Sequence, residues 1–230
     1  VDGEADKVFI QGLEVGKGNC SNITISGLTI DFLKVRNNGT TLSADMCSIG
    51  WLDQTDLTNF SASNSILGPG SDSFYVRFGA IASFQNCTSN QNYRGWYFSN
   101  NSDITFQGCT FNFENYGPAA FRHFDSVLRI SDSNLGQKGV GGTRFCIESS
   151  FTNQSFGSRL ELSNVNISGF GGTAIRHTGS AGTVSIAGCT IENNNFGGSN
   201  DPGGISITGA TSVEISDTTI HNNQSRLLGG

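Results

Sequence analysis

Six short segments of the chain resemble one another when they are aligned on a pair of residues two positions apart. In a β-strand this pair would face inward, and the residue between them would face outward. The segments are SFYVRFG (73–79), RGWYFSN (94–100), PAAFRHFD (118–125), RFCIESS (144–150), GTAIRHT (172–178) and GGISITG (203–209). Because side chains alternate along a β-strand, the residue between each pair points away from the side on which the pair packs. The alignment predicts an outer row, called here the predicted row, of Arg77, Tyr97, Arg122, Glu148, Arg176 and Ser206.

The arginines of the predicted row could bind an anionic ligand. Arg122 and Arg176 would stand two strands apart, roughly 10 Å, which suits successive carboxylates of an acidic polysaccharide held by bidentate hydrogen bonds. Long loops could wall a groove beside the row, since 13 residues separate the inward positions Ile191 and Ile205. In the alternative, Glu148 pairs with both arginines as a surface charge ladder.

The predicted row could also support β-elimination or epimerisation of a uronate. These reactions need a cation that stabilises charge on the carboxylate, a base for the sugar C–H proton, and an acid or second base. The residues open to catalytic roles are Arg122, Arg176, Tyr97, His123 and His177, and those expected to bind substrate are Arg77, Glu148 and Ser206. A hydrolase would need paired carboxylates across the scissile bond, and the row offers only Glu148.

Two of the catalytic candidates, His123 and His177, each follow an arginine in an Arg-His dipeptide. The alternation places both on the inward side of the strand. The alternative to a catalytic role is therefore that both histidines are neutral, buried and hydrogen-bonded inside the fold. Both residues lie near a strand end, where a β-bulge could turn them outward.

The chain offers few groups that could hold a metal. Its six cysteines have no C-x-x-C spacing and only three histidines accompany them, so a zinc site is not expected. Calcium is possible, but the predicted row contains no cluster of aspartates to support it. The sequence therefore predicts no cofactor.

A second motif, in which a sharp turn joins two short strands, recurs along the chain. Its copies are ITISGLTI (23–30), ASFQNCTS (82–89), ITFQGCTF (104–111), LRISDSNL (128–135), LELSNVNI (160–167), VSIAGCTI (184–191) and VEISDTTI (213–220). The turn residues Asn86, Gly108, Asp132, Asn164, Gly188 and Asp217 are separated by 22, 24, 32, 24 and 29 residues. This spacing is typical of a solenoid. We predict an all-β parallel solenoid of about eight coils with three parallel sheets, forming one domain over residues 1–230.

Stacked coils predict continuous interior rows of similar side chains. One such row is Leu28, Cys87, Cys109, Ser133, Val165, Cys189 and Thr218. The cysteines occupy positions that suit small buried residues, so we interpret them as interior thiols. Cys87 and Cys109 would stand about 4.8 Å apart on adjacent strands, a separation that also permits a disulfide.

Strand pairs with sharp turns, together with Asn-rich corners such as ENN (192–194) and HNN (221–223), resemble the right-handed parallel β-helix of the pectate-lyase-like superfamily. The resemblance covers most of the chain and is specific for architecture. It implies a fold that serves hydrolases, epimerases, phage tailspikes and bacterial adhesins alike. Similar β-helix lyases use Arg or Lys as the base, often beside a calcium ion held by acidic residues.

Composition narrows the classes of partner. With a net charge of −6 and only 13 Lys and Arg residues, the chain lacks the clustered cations that binding to a nucleic acid requires. No apolar run approaches membrane-spanning length, so membrane insertion is not expected. Nine N-x-S/T sequons fit a glycoprotein that is secreted or displayed on a cell or virion surface.

Two classes of function follow from these observations. The first is an extracellular carbohydrate-active enzyme, a polysaccharide lyase or uronate epimerase, acting on an acidic polysaccharide through the predicted row. The second is a non-catalytic segment of an adhesin, surface protein or phage tailspike, in which the same row binds glycans. Because the ends of a solenoid expose strand edges, and the first residues form no amphipathic capping helix, we expect one or both end caps to be missing. Loops, a further segment or a neighbouring subunit of a homo-oligomer would then cover the ends.

Overall fold

The computed structural model describes residues 8–16, 22–68, 74–91, 95–113, 119–137, 145–152, 157–195 and 202–224. Within these ranges every regular element is a β-strand, and the strands pair in parallel. The prediction of an all-β fold is confirmed for these residues. The described residues include no helix with the length and hydropathy of a membrane span.

Nine strands form the smaller sheet, and their order in space follows their order in the chain. They are β2 (Asn22–Ser26), β4 (Thr41–Asp45), β6 (Asn59–Ser63), β9 (Ile81–Gln85), β12 (Asp103–Gln107), β15 (Val127–Ser131), β18 (Arg159–Ser163), β21 (Thr183–Ala187) and β24 (Ser212–Ser216). In β12 the inward residues Ile104 and Phe106 are buried, and the residues beside them are half-buried or exposed. This period of two is the pattern of a sheet with one face against a core.

Sixteen strands form the larger sheet. They are β1 (Val8–Val15), β3 (Leu28–Val35), β5 (Ser48–Gln54), β7 (Ile66–Leu67), β8 (Phe74–Arg77), β10 (Thr88–Gln91), β11 (Trp96–Ser99), β13 (Thr110–Phe113), β14 (Ala119–Phe124), β16 (Asn134–Gln137), β17 (Phe145–Phe151), β19 (Asn166–Ser168), β20 (Ile175–Gly179), β22 (Thr190–Glu192), β23 (Ile205–Thr208) and β25 (Thr219–His221). Their main order is β23-β20-β17-β14-β11-β8-β5-β7-β10-β13-β16-β19-β22-β25, and β3 joins β5 to β1.

The larger sheet divides at β5. Ser48 and Ile49, at the start of this strand, pair with β7, whereas Asp53 and Gln54, at its end, pair with β8. Beyond β5, two series of short strands continue separately. We predicted three sheets, and hydrogen bonding gives two, because one long strand joins the two series that we expected to be separate.

A residue in the left-handed conformation directly follows each strand of the smaller sheet and begins the corner that leads to the next strand. These corner residues are Gly27, Met46, Asn64, Asn86, Gly108, Asp132, Asn164, Gly188 and Asp217, with φ between 48° and 67°. Gly, Asn and Asp tolerate this conformation best. The N–H groups of the eight corners from Gly27 to Gly188 donate to carbonyls of the next repeat, as Asn86 does to the Gln107 oxygen at 2.9 Å. The six turn positions predicted from the repeat, from Asn86 to Asp217, are therefore confirmed.

The inward side chains of both sheets pack into one core cluster. Aromatic rings fill its middle, where the Trp96 ring centroid lies 4.1 Å from that of Phe74 and 5.1 Å from those of Phe84 and Phe106. Parallel register produces such stacks, because equivalent positions on neighbouring strands lie about 4.8 Å apart. Burial of these large rings is a main source of stability for the sheets.

Five cysteines lie within the described residues. They are Cys47, Cys87, Cys109, Cys146 and Cys189, and all are buried and free; Cys20 lies outside the described residues. Cys87 and Cys109 do occupy adjacent repeats, because the Thr110 N–H donates to the Cys87 carbonyl at 2.9 Å. The structure thus contains interior thiols at these positions and not the alternative disulfide.

Candidate functional site

One outward row of side chains crosses the larger sheet from β1 to β23. Strand pairing places in this central row Glu14, Lys34, Asp53, Tyr75, Tyr97, Arg122, Glu148, Arg176 and Ser206. Five of the six residues of the predicted row therefore lie side by side on consecutive strands, from Tyr97 to Ser206. The central row also continues past Tyr97 through residues that the sequence alignment did not include.

Arg77 lies outside the central row, because β8 pairs in a register two residues away from the one that the alignment assumed. Arg77 pairs with Ser99. The inward pair on β8 is Phe74 and Val76, both fully buried, whereas Phe78, which the alignment placed inside, is 51% exposed. The alignment was wrong here because three apolar residues at alternate positions fit two registers.

Arg122 and Glu148 form an ion pair on the central row, in which Arg122 Nε donates to Glu148 Oε2 at 3.3 Å. The Arg176 guanidinium lies over the Phe145 ring, with Cζ 4.8 Å from its centroid. Of the two arginine contacts in the charge-ladder alternative, the one between Arg122 and Glu148 is present. An ion pair this exposed contributes only about 0–1 kcal/mol to stability, and both arginine side chains stay partly open to the surface.

The two histidines of interest, His123 and His177, point into the core and are fully buried. His123 Nε2 lies 2.7 Å from the Ser126 carbonyl, and His177 Nδ1 lies 2.9 Å from the Ser149 hydroxyl. Burial lowers the pKa of His123 to about 3 and also lowers the pKa of His177. Neither ring can reach a sugar on the outer face, and no bulge turns it outward. This placement argues against the catalytic roles predicted for them and matches the alternative of buried neutral histidines.

A line of aromatic side chains lies on the outer face of the larger sheet. This aromatic stripe consists of Phe32, Trp51, Tyr75, Tyr97 and Phe124. Successive ring centroids are 3.9, 6.3, 5.8 and 5.5 Å apart, so each ring contacts the next. All five side chains are half-buried. The stripe is therefore one contiguous apolar surface that water still reaches.

The aromatic stripe runs obliquely across the strands. Tyr75 and Tyr97 lie on the central row, whereas Trp51 comes two residues before the row position Asp53 and Phe124 two residues after Arg122. Sequence comparison missed the stripe because it followed one fixed position in each repeat. A usable signal was present, since an aromatic residue recurs at the outward positions of FLKV (32–35), WLDQ (51–54), YVR (75–77) and YFS (97–99).

Cationic side chains border the stripe at the strands β3 and β8. Two of them form ion pairs with Asp53, whose carboxylate accepts hydrogen bonds from Arg36 at 3.1 Å and from Arg77 at 2.7 Å. The Asp53 side chain is 6% exposed, whereas the two arginines are 42% and 32% exposed. Lys34 Nζ lies 4.7 Å from the centroid of the Phe32 ring. We call Lys34, Arg36 and Arg77 the basic flank.

Comparisons with known protein families, curated proteins and solved structures gave no match. Within the residues that the structure describes, no group of three or more His, Cys, Asp or Glu side chains could hold a metal ion. The chemistry of the outer face is thus the basis on which a function can be assigned.

Proposed function

We propose that this protein is an extracellular glycan-binding protein and that the aromatic stripe forms its binding surface. A sugar ring carries C–H groups on its faces and hydroxyls at its edge, so it packs on an aromatic face while its hydroxyls bond sideways. The observation that carries the proposal is the contiguous run of five half-buried rings, one from each of five neighbouring strands. A contiguous apolar surface that is bordered by polar side chains is typical of a binding site.

The charged groups beside the stripe support an acidic glycan as the ligand. The basic flank lies along one part of the stripe, and Arg122 and Arg176 continue the central row beyond Tyr97. Guanidinium groups bind carboxylates and sulfates through paired N–H donors. An acidic polysaccharide would therefore find both a stacking surface and partners for its charged groups.

The wider proposal is a right-handed parallel β-helix of the pectate-lyase-like type, with about eight coils and three faces. Strands in chain order, parallel pairing between successive repeats and one left-handed corner in each repeat support it. Connections between parallel neighbours are right-handed in nearly all proteins. On β24 the inward residues Val213 and Ile215 are 47% and 45% exposed, which supports cover of this strand by a further segment or a neighbouring subunit.

Surface asparagines support secretion or surface display. Sequon asparagines at exposed positions are Asn22, Asn38, Asn59, Asn86 and Asn100. Glycan attachment needs an accessible asparagine in a protein that enters the secretory route. Mass spectrometry of the protein from its natural source tests this, and unmodified asparagines at all of these positions would count against it.

The binding function is tested with Trp51→Ala and Tyr75→Ala on a panel of immobilised polysaccharides. Each substitution removes a ring from the stripe, and we expect affinity to fall at least about tenfold, or about 1.4 kcal/mol. Phe9→Ala is the matched control, because Phe9 is an aromatic residue 64% exposed outside the stripe. If all three variants are folded, as their thermal midpoints show, and bind as tightly as the unsubstituted protein, the aromatic stripe is rejected as the site.

A second candidate function is lyase or epimerase action on the same ligand. The observation that favours it is the placement of Tyr97, Arg122 and Arg176 on one outward row, with Glu148 between the arginines. Such a row could supply a cation and a proton donor to a uronate. The test is to incubate the protein with uronate polymers and follow the unsaturated product and the C5 configuration. Turnover abolished by Arg122→Ala would establish the enzyme, and binding without turnover would leave the binding function alone.

A further inference from the structure

The aromatic stripe is long enough to contact several sugars at once. Its rings come from β3, β5, β8, β11 and β14, which are consecutive neighbours in the larger sheet. Neighbouring strands lie about 4.8 Å apart, so five of them span about 19 Å. A monosaccharide or disaccharide would cover only one or two of the rings. A ligand that uses the whole stripe must be an extended chain lying across the strands.

The rings of the stripe turn relative to one another. Phe32 and Trp51 are almost parallel, with 16° between their planes, but Trp51 and Tyr75 are inclined by 74°. The angle is 52° between Tyr75 and Tyr97 and 42° between Tyr97 and Phe124. Rings inclined in this way cannot all lie against one flat surface, as the face of a crystalline polysaccharide would require. A single chain, whose sugars rotate about their glycosidic bonds, can follow them.

The basic flank adds charge selectivity to this surface. Lys34 and Arg77 lie over rings of the stripe, and Arg36 and Arg77 share the carboxylate of Asp53. Glu14 occupies the position beside Lys34 on β1. In the set of Lys34, Arg36, Arg77, Asp53 and Glu14, three cations therefore stand against two carboxylates. The parts of the Arg36 and Arg77 side chains that remain exposed can donate to carboxylate or sulfate groups along one edge of a chain.

We infer that the aromatic stripe binds a single soluble chain of an anionic polysaccharide, in contact with about five consecutive sugars. This assignment rests on the glycan-binding function proposed above, and it fixes the length, form and charge of the ligand. The contacts lie along the chain and none is specific for a chain end. Internal segments of a long polymer should therefore bind as well as short chains of sufficient length.

The test measures affinity by calorimetry for three ladders of oligosaccharides, each from disaccharide to octasaccharide. The ladders are oligogalacturonides, which carry carboxylates, chondroitin sulfate fragments, which also carry sulfates, and neutral cello-oligosaccharides. We expect affinity for at least one anionic ladder to rise about tenfold or more up to the pentasaccharide and to change less than about twofold beyond the hexasaccharide. Phe124→Ala, at one end of the stripe, should weaken hexasaccharide binding by about tenfold and trisaccharide binding by less than about threefold.

Several results would overturn this assignment while the glycan-binding function survives. These are equal affinity for disaccharide and hexasaccharide, equal affinity for neutral and anionic ladders, and retention of the protein on microcrystalline cellulose. Phe9→Ala serves as the matched control and should leave every affinity unchanged. No binding to any oligosaccharide or polymer would instead overturn the proposed function itself. The two failures are therefore distinguishable.

Discussion

Trp51 stacks on Phe32 with ring centroids 3.9 Å apart and 16° between the ring planes, on the outer face of the larger sheet. The chain has two tryptophans, and the other, Trp96, is fully buried in the core. Only Trp51 can therefore report on the outer face. The Phe32–Trp51 stack provides both a natural probe for the proposed ligand binding and a measurable contribution to stability.

Ligand binding should change the fluorescence of Trp51. A sugar stacked on the indole removes water from it, so we expect a blue shift and a change in intensity on titration with a polysaccharide that binds. Trp51→Phe keeps an aromatic ring at the site and removes the signal. A spectral change that persists in Trp51→Phe would have to come from Trp96 in the core, and this would argue against ligand contact at Trp51.

The Trp51→Ala substitution should also lower stability, because it removes an aromatic pair worth about 0.5–1.5 kcal/mol beyond its buried area. Urea unfolding followed by circular dichroism measures the change. Phe9→Ala, at an exposed ring with no place in the stripe, should change stability by less than about 0.5 kcal/mol. Equal losses in the two variants would mean that the stack does not stabilise the sheet.

Asp53→Asn should destabilise the protein more than loss of a surface ion pair. The nearly buried Asp53 carboxylate accepts from both Arg36 and Arg77, and a hydrogen bond to a charged group contributes about 1.5–3 kcal/mol. Because both arginines are partly solvated, we expect a loss of about 2 kcal/mol in urea unfolding. Glu148→Gln, which removes an exposed partner of Arg122, is the control and should cost at most about 1 kcal/mol.

Met46→Asn should stabilise the protein. Met46 is the one corner residue, among those described, that is not Gly, Asn or Asp, and it has a φ of 51°. Its side chain is 62% exposed, so little packing is lost, and relief of the left-handed strain should yield about 1 kcal/mol in urea unfolding. The converse control is Gly108→Ala, which would put a side chain at a φ of 63° and should destabilise. A loss of stability in Met46→Asn would contradict the strain argument.

Stability should fall as the pH drops below the ordinary pKa of histidine. Burial lowers the folded-state pKa of His123 to about 3 from 6.5. In the unfolded chain the His123 ring therefore takes up a proton below about pH 6.5, whereas in the folded protein it is protonated only near pH 3. The contribution of the neutral ring is complete above 6.5 and is lost progressively between these values. The lowered pKa of His177 acts in the same direction.

Urea unfolding of His123→Gln at neutral pH and at about pH 5 isolates this effect from the titration of carboxylates. The variant should lose less stability between the two pH values than the unsubstituted protein. His221→Gln is the control, because His221 is 42% exposed and lies beside Glu192 on the surface. An unchanged pH dependence in His123→Gln would show that this ring is not the source.

The buried thiols should be unreactive in the folded protein. Burial raises the pKa of Cys146 and that of Cys189, so neither forms the reactive thiolate at neutral pH. In a Cys20→Ser background, a thiol reagent should modify no cysteine until urea unfolds the chain, and five should then react. A native-state reaction, or fewer than five thiols after unfolding, would contradict the structure of free interior cysteines.

The repeat and its corners could be predicted from sequence because a left-handed corner selects Gly, Asn and Asp. Asn86 and Gly108 mark it directly, whereas Met46, at an equivalent corner, breaks the pattern and was not recognised. The inward position of His123 was equally predictable from alternation, although its polar ring suggested chemistry at the surface. Residue preferences at the corners and side-chain alternation along the strands therefore sufficed to predict the repeat and its inward residues.

The register of strand pairing and the continuity of the larger sheet were harder to predict, because both depend on neighbouring strands. Phe74, Val76 and Phe78 fit two registers equally well, and pairing with β11 decides between them. The two strand series are joined because β5 pairs with both β7 and β8, although its buried residues Ile49 and Leu52 lie three positions apart and so break the two-residue alternation. The aromatic stripe shifts by two residues between Trp51 and Tyr75 and again between Tyr97 and Phe124, so an alignment on one fixed position of the repeat missed it.

The strands of the smaller sheet lie in the same order in space as in the chain. Each strand between β2 and β24 is hydrogen-bonded within this sheet to the two strands beside it, and these backbone bonds run along the stack. A mechanical pull on the ends of the chain would therefore open the bonds of one strand at a time, as a zipper opens, instead of shearing a whole ladder at once. A protein built in this way yields gradually from its ends under tension, while the strands that the tension has not yet reached keep their shape.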